Sequence, residues 1–248
     1  ELEACEETVR DEDGAALVEC SYALPVMKAL AADGSVLETA ATEGQARALA
    51  AAETFNARFD PWKGNAQTLA KSAKEDRAFR NESGLEPMTY TDDLWCAVYQ
   101  TETLVSVSGT YSTYTGGAHP NHILMSWNFD LEAGEFFEPE ILDEGGDLRE
   151  YVRSALVRQV READEVLGEK LEDLYWEDYE DILADWLNYA ISFDAEGMTV
   201  GFSPYELAAY AAGPQTFHLT YEELSPHLGP HGKALLGLEA ASAGETAE

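Results

Sequence analysis

Apolar positions fall along this chain in two rhythms, one of period two and one near 3.6, and their order sketches the fold. Residues 2–10 and 15–27 flank Asp11-Glu12-Asp13-Gly14, with Cys20, Tyr22, Leu24 and Val26 at every second position, which predicts a β-hairpin. Thr42-Glu43-Gly44-Gln45 has capping-box spacing and opens an alanine-rich helix to about Phe59, where Asp60-Pro61 stops it. A second helix is expected from Asn65 to about Asn81. It carries Lys71, Lys74, Arg77 and Arg80 near one face, to be balanced by neighbouring carboxylates. From about Met88 to Phe137 the pattern is β-rich, with strands at Leu94–Tyr99, Leu104–Tyr114, 122–131 and 135–138.

The period then lengthens again. Leu148, Tyr151, Val152, Ala155, Leu156 and Val160 form one stripe of a helix expected from an Asp147 N-cap to about Leu167. Tyr179, Ile182, Leu183 and Trp186 form a second stripe. Ile191–Phe193 and Met198–Phe202 flank an Asp-Ala-Glu-Gly turn, and a last strand, Thr216–Thr220, runs into a turn of helix at Tyr221–Leu224. The expected fold is α+β: an antiparallel β-meander covered by helices, with a smaller N-terminal strand-helix lobe. The expected division is 1–87, 88–238 and a flexible tail at 239–248 of Ala, Gly, Ser and Glu.

With 248 residues and 45% apolar composition, the chain can bury a sizeable core. No apolar run reaches the roughly 18 residues of a membrane span. The 48 acidic residues against 15 Lys plus Arg give a net charge of −33. That field repels phosphate backbones and anionic bilayers, which argues against nucleic acid, and it speeds encounter with cationic partners.

Three cysteines are too few for a disulfide scaffold. A four-residue turn at 11–14 would set Arg10 opposite Ala15, Val9 opposite Ala16 and Cys5 opposite Cys20, within disulfide range. The expectation is a Cys5–Cys20 bridge, with Cys96 left over, and an extracytoplasmic home.

No nucleophile elbow, P-loop or dinucleotide fingerprint occurs. His119 and His122 are separated by Pro120, which excludes the helix that would place them on one face for a metal. His119 therefore reads as a hydrogen-bonding residue that orders its loop. The turns at 11–14 and 143–147 lack EF-hand ligand spacing. No cofactor and no metal are expected. Tyrosines near loops, Tyr111, Tyr114, Tyr205 and Tyr210 with Pro120 and Pro204, have the character of recognition surfaces.

Tyr114-Thr115-Gly116-Gly117-Ala118-His119-Pro120, followed by a strand ending Asn128-x-Asp130 and a Gly134 turn, resembles the uncharacterised extracytoplasmic domain of RsiV-type anti-sigma factors, which sense lysozyme. The same domain type occurs in lipoproteins and beside PdaC-type deacetylase domains. Phe202-Ser203-Pro204-Tyr205-Glu206-Leu207, the segment Ala208–Gly213, and Phe217–Leu224 are similar to that family's closing segment. Residues 1–87 resemble, more faintly, the companion domain that precedes it. The resemblance implies a non-enzymatic binding or sensing module of the cell envelope, secreted or anchored through a segment absent from this chain. Its expected partner is a cationic, lysozyme-like protein, with a cell-wall glycan as the rival and a hydrolase built on His119 as the outsider. Expected binding residues are Tyr114, Gly116, Gly117, His119, Pro120, Tyr205 and Tyr210.

Overall fold

A computed structural model describes residues 1–163 and 170–238, so the expected tail and the last residues of the Asp147-led helix lie outside the described residues. The fold is α+β. A six-stranded sheet in the order β1 to β6 contains Leu2–Arg10, Ala16–Pro25, Tyr90–Gln100, Leu104–Tyr114, Asn121–Asp130 and Glu135–Phe136. A second sheet holds β7 (Ala190–Phe193), β8 (Gly197–Phe202) and β9 (Gln215–Thr220), all antiparallel. The chain divides into two compact units, Glu1–Val98 with Gly109–Ile123, and Tyr99–Ser108 with Leu124–Glu248. Strands β3, β4 and β5 each pass from one unit to the other.

In the first unit the β1–β2 hairpin forms as expected, but its register differs. Asp11 N–H bonds Ala15 O, which makes Arg10 face Ala16, and a bulge next to Arg10 adds another residue so that Val9 faces Val18. Cys5 consequently faces Tyr22, and Cys20 faces Glu7. The expected Cys5–Cys20 bridge is absent and all three cysteines are free thiols. A total slip of two residues keeps both cysteines on one face but makes them diagonal neighbours at ~7–8 Å, beyond the reach of a disulfide.

Helix α1 (Glu43–Ala57) starts where the capping box placed it. Thr42 Oγ1 accepts from Gln45 N at 3.2 Å, and Gln45 Oε1 reaches back to accept from Ala41 N. Helix α2 (Asn65–Ser83) crosses from β2 toward β3, so that β2 and β3 pair in parallel, a relation hidden from the local pattern. Its basic residues meet the hairpin turn. Arg77 bridges Asp11 and Asp13, Lys74 lies 3.6 Å from Glu12, and Arg80 pairs with Asp76. The turn carboxylates are thereby occupied by the helix.

In the second unit, helix α3 (Leu148–Glu162) buries Leu148, Val152, Ala155, Leu156 and Val160, as its stripe predicts. They share a core with Leu183, Trp186, Ile191, Val200, Phe202 and Leu219. Asp147 holds the N-cap position, but its side chain does not cap the helix: Oδ1 lies 2.8 Å from His227 Nδ1, and Asp143 Oδ1 accepts from Arg149 N instead.

Strand β7 is an edge of its sheet, and its outward backbone groups are satisfied by side chains. Ser126 Oγ accepts from Ile191 N, Ser106 Oγ accepts from Phe193 N, and Asn128 Nδ2 donates to Ile191 O, each at 2.8 Å. Ser106 Oγ donates in turn to Asn128 Oδ1 at 2.8 Å. This closed polar seam fixes the β7–β8 hairpin, from which the 203–213 loop departs.

Candidate functional site

The loop after β8 is built around a backbone outlier. Tyr205 holds φ at +75°, the one non-glycine residue at positive φ among the described residues. A bulky aromatic there is strained, and such strain persists only where its surroundings enforce it. They do so from both sides. Ser203 Oγ accepts from Leu124 N at 3.1 Å, Ser203 N donates to Glu206 Oε2, Glu206 N bonds Ser203 O at 3.0 Å, and Tyr205 N bonds Ala208 O at 3.1 Å. Pro204, Leu207 and Ala208 are buried anchors.

A second segment locks onto this turn. Tyr175 forms a β-bridge with Ala208, Trp176 N donates to Leu207 O at 3.0 Å, and Trp176 Nε1 donates to Tyr205 O at 3.1 Å. Tyr175 OH donates to Gln215 Oε1 at 2.8 Å, and Gln215 Nε2 holds Ala212 O at 2.9 Å, which closes the loop at its far end. The Tyr205 and Tyr210 rings lie 5.6 Å apart and tilted by 38°. Tyr205 is 55% exposed and Trp176 38% exposed. The result is a preordered aromatic platform. Glu177 and Asp178 follow Trp176 in the chain, and Glu206 follows Tyr205. Glu206, Asp185 and Asp178 add to burial in pushing the Tyr189 phenol upward, so the environment is acidic.

In the first unit the glycine loop orders itself. Tyr114 OH donates to Gly117 O at 3.1 Å. His119 Nδ1 lies 2.8 Å from Pro120 O, and because a carbonyl only accepts, Nδ1 carries the proton. Gly116 and Gly117 sit at φ +108° and +112°, which L side chains rarely adopt, and a Cβ on Gly116 would stand 3.1 Å from Met88 Cε. The expected binding residues therefore fall into two sets: Tyr114, Gly116, Gly117, His119 and Pro120 in the first unit, Tyr205 and Tyr210 in the second.

Tyr111, read from sequence as a recognition tyrosine, belongs instead to a polar cluster in the first unit. Asp92 is fully buried, and its Oδ2 accepts from Tyr22 OH at 2.5 Å and from Asn65 Nδ2 at 2.7 Å, while Oδ1 accepts from Tyr111 OH at 2.5 Å. Trp62 meets both tyrosine rings edge-on, at 5.6 Å and 5.0 Å. Burial, with the bond to Asp92, pushes the Tyr111 phenol up to about 12 and moves Tyr22 in the same direction. Three neutral donors engage both oxygens of this carboxylate, so the cluster organises the core. Sequence reasoning missed both Asp92 and Trp176. Asp92 sits at an inward position of a strand beside Asp93, and Trp176 interrupts an acidic stretch without helical spacing.

Fold and platform together define an α+β domain with a preorganised aromatic surface. Residues 135–222 match the family described as "Protein of unknown function (DUF3298)", a span that takes in the 203–213 loop and leaves out the glycine loop. The chain is similar in fold to a DUF3298 family member from Bacteroides fragilis, at 17% identity over 96% of both chains with a TM-score of 0.63. It also aligns with a DUF3298 family protein from Pseudomonas aeruginosa PAO1, at 17% identity over 93% of this chain and 94% of that one, with a TM-score of 0.48. No curated protein matches the chain.

Proposed function

We propose that this chain is a non-enzymatic binding module of the bacterial cell envelope that recognises a cationic, lysozyme-like protein through the Tyr205, Trp176 and Tyr210 platform. The observation that carries the reading is the exposed Tyr205 ring on a backbone held at positive φ. A fold that keeps a strained, solvent-facing aromatic gains little stability from it, which is the signature of a residue retained for contact. The bonds made by Trp176 and Ser203 fix in advance the backbone that carries the ring, so less ordering entropy is lost on binding.

Electrostatics supports the same partner. A net charge of −33 draws basic proteins in, and aromatic faces beside carboxylates accept guanidinium and ammonium groups. Exposed tyrosine and tryptophan rings also suit sugar stacking, so the glycan reading draws on the same residues and is separated by experiment. Titration of hen lysozyme and of a soluble peptidoglycan fragment into the chain, its Tyr205→Gly variant and its Trp176→Ala variant tests the proposal. Lysozyme binding that weakens at least tenfold in both variants supports it. Binding of the glycan alone transfers the platform to the rival reading.

A further inference from the structure

The first unit carries a second aromatic surface, centred on Trp95, on the side of the sheet opposite its helices. Residues paired across β1, β2 and β3 share a face, and the register defines three rows: Ala4, Ala23 and Trp95; Glu6, Ser21 and Asp93; Thr8, Glu19 and Thr91. The intervening rows, which include Cys20, Tyr22, Asp92 and Leu94, face inward, and these four are at most 4% exposed. Trp95 is 65% exposed, and Ala4, Glu6, Thr8 and Glu19 are exposed with it.

Two properties of this face point to its occupant. Two alanines stand in line with Trp95, so one side of the indole looks over a low shelf where a flat group can lie without displacing a side chain. The charged positions, Glu6, Glu19 and Asp93, are all acidic, none is in a salt bridge among the described residues, and no Lys or Arg stands in the three rows. Burial first, then the negative charges of Asp92 and Glu19, hold the Asp93 carboxyl above its ordinary range, as expected of carboxylates crowded together without a counter-charge.

We infer that this sheet face is a docking surface for an arginine-bearing segment of a basic polypeptide, with a guanidinium stacked on Trp95 over the Ala4–Ala23 shelf and paired with Asp93 or Glu19. Guanidinium fits better than ammonium because it is planar, stacks on indole and is less strongly hydrated. A neutral sugar would use the ring and the Thr and Ser hydroxyls but leave the three carboxylates without a role. The inference is independent of the Tyr205 platform, since it rests on other residues in the other unit.

The test uses an oligo-arginine peptide and its oligo-lysine counterpart, titrated at physiological salt into the chain, Trp95→Ala, and Asp93→Asn with Glu19→Gln. Trp95→Ala is the decisive variant, because it leaves the net charge unchanged and removes a side chain that is mostly in solvent. The expected result is tighter binding of the arginine peptide, weakened about threefold or more by Trp95→Ala. The double variant weakens both peptides. Equal affinity of Trp95→Ala and the parent chain would show that the acidic field acts alone and would overturn the inference. So would binding of a chito-oligosaccharide that depends on Trp95 while the peptide does not.

Discussion

Trp176 donates its indole N–H to the main-chain carbonyl of Tyr205 at 3.1 Å, and that bond braces a tyrosine at φ +75°. The pairing makes stability and recognition separable at one position. Glycine adopts this backbone freely, so Tyr205→Gly relieves about 1 kcal/mol of strain while adding a similar entropic cost in the unfolded chain. Thermal unfolding of Tyr205→Gly should fall within a few degrees of the parent. Tyr205→Val keeps the strain in a β-branched residue and should be the less stable of the two.

The Asp92 cluster is the most stability-sensitive polar feature of the first unit. Asp92→Ala removes the acceptor shared by the buried Tyr22 hydroxyl and the part-buried Tyr111 and Asn65 donors and should cost about 3 kcal/mol by urea denaturation. Asp92→Asn should cost less, because a tyrosine hydroxyl can turn to accept from the new amide.

The same tyrosines predict an alkaline limit. Both phenols titrate higher in the folded chain than the unfolded value of 10.0, so their contribution to stability is complete below that pH. For Tyr111 it is lost as pH rises through about 12. Tyrosinate absorbance should show Tyr22 and Tyr111 among the late-titrating tyrosines, with Tyr175 and Tyr221 held high by burial, and Asp92→Ala should advance Tyr22 and Tyr111 alone.

Asn128 closes the polar seam along β7. Asn128→Ala removes the acceptor of Ser106 Oγ and the donor to Ile191 O. A loss of about 1–3 kcal/mol is expected, with faster amide exchange at Ile191 and Phe193 as the local readout.

The thiols provide a direct check on the hairpin register. Intact mass should be identical before and after reduction. Cys5 is half-buried and should alkylate first, while burial raises Cys20 and Cys96 to about 11 and should slow both.

Local structure was legible wherever a segment's own pattern decides it. The capping box at Thr42, the α3 stripe from Leu148 to Val160 and the β4 bounds Leu104–Tyr114 all appear as the sequence implies, because each depends on neighbours within a few turns or along one strand. Long-range pairing was not legible. Nothing local signals that β2 and β3 pair in parallel around two helices, and a turn one residue longer together with a bulge beside Arg10 moves Cys5 from Cys20 to Tyr22. Tyr205 and Tyr210 were found from a motif rich in aromatics. Their brace, Trp176, lies 29 residues before Tyr205 in a stretch whose acidic composition resembles an ordinary connector.

The most direct test of the recognition proposal is calorimetric titration of hen lysozyme into this chain at low and at physiological salt, with an equally basic unrelated protein as control. Submicromolar affinity should persist at physiological salt, where exposed charges more than about 8 Å apart are screened, and the control should show none. Affinity that vanishes at physiological salt, or that the control reproduces, would contradict the proposal, because the charge of the chain would then explain the binding without the platform.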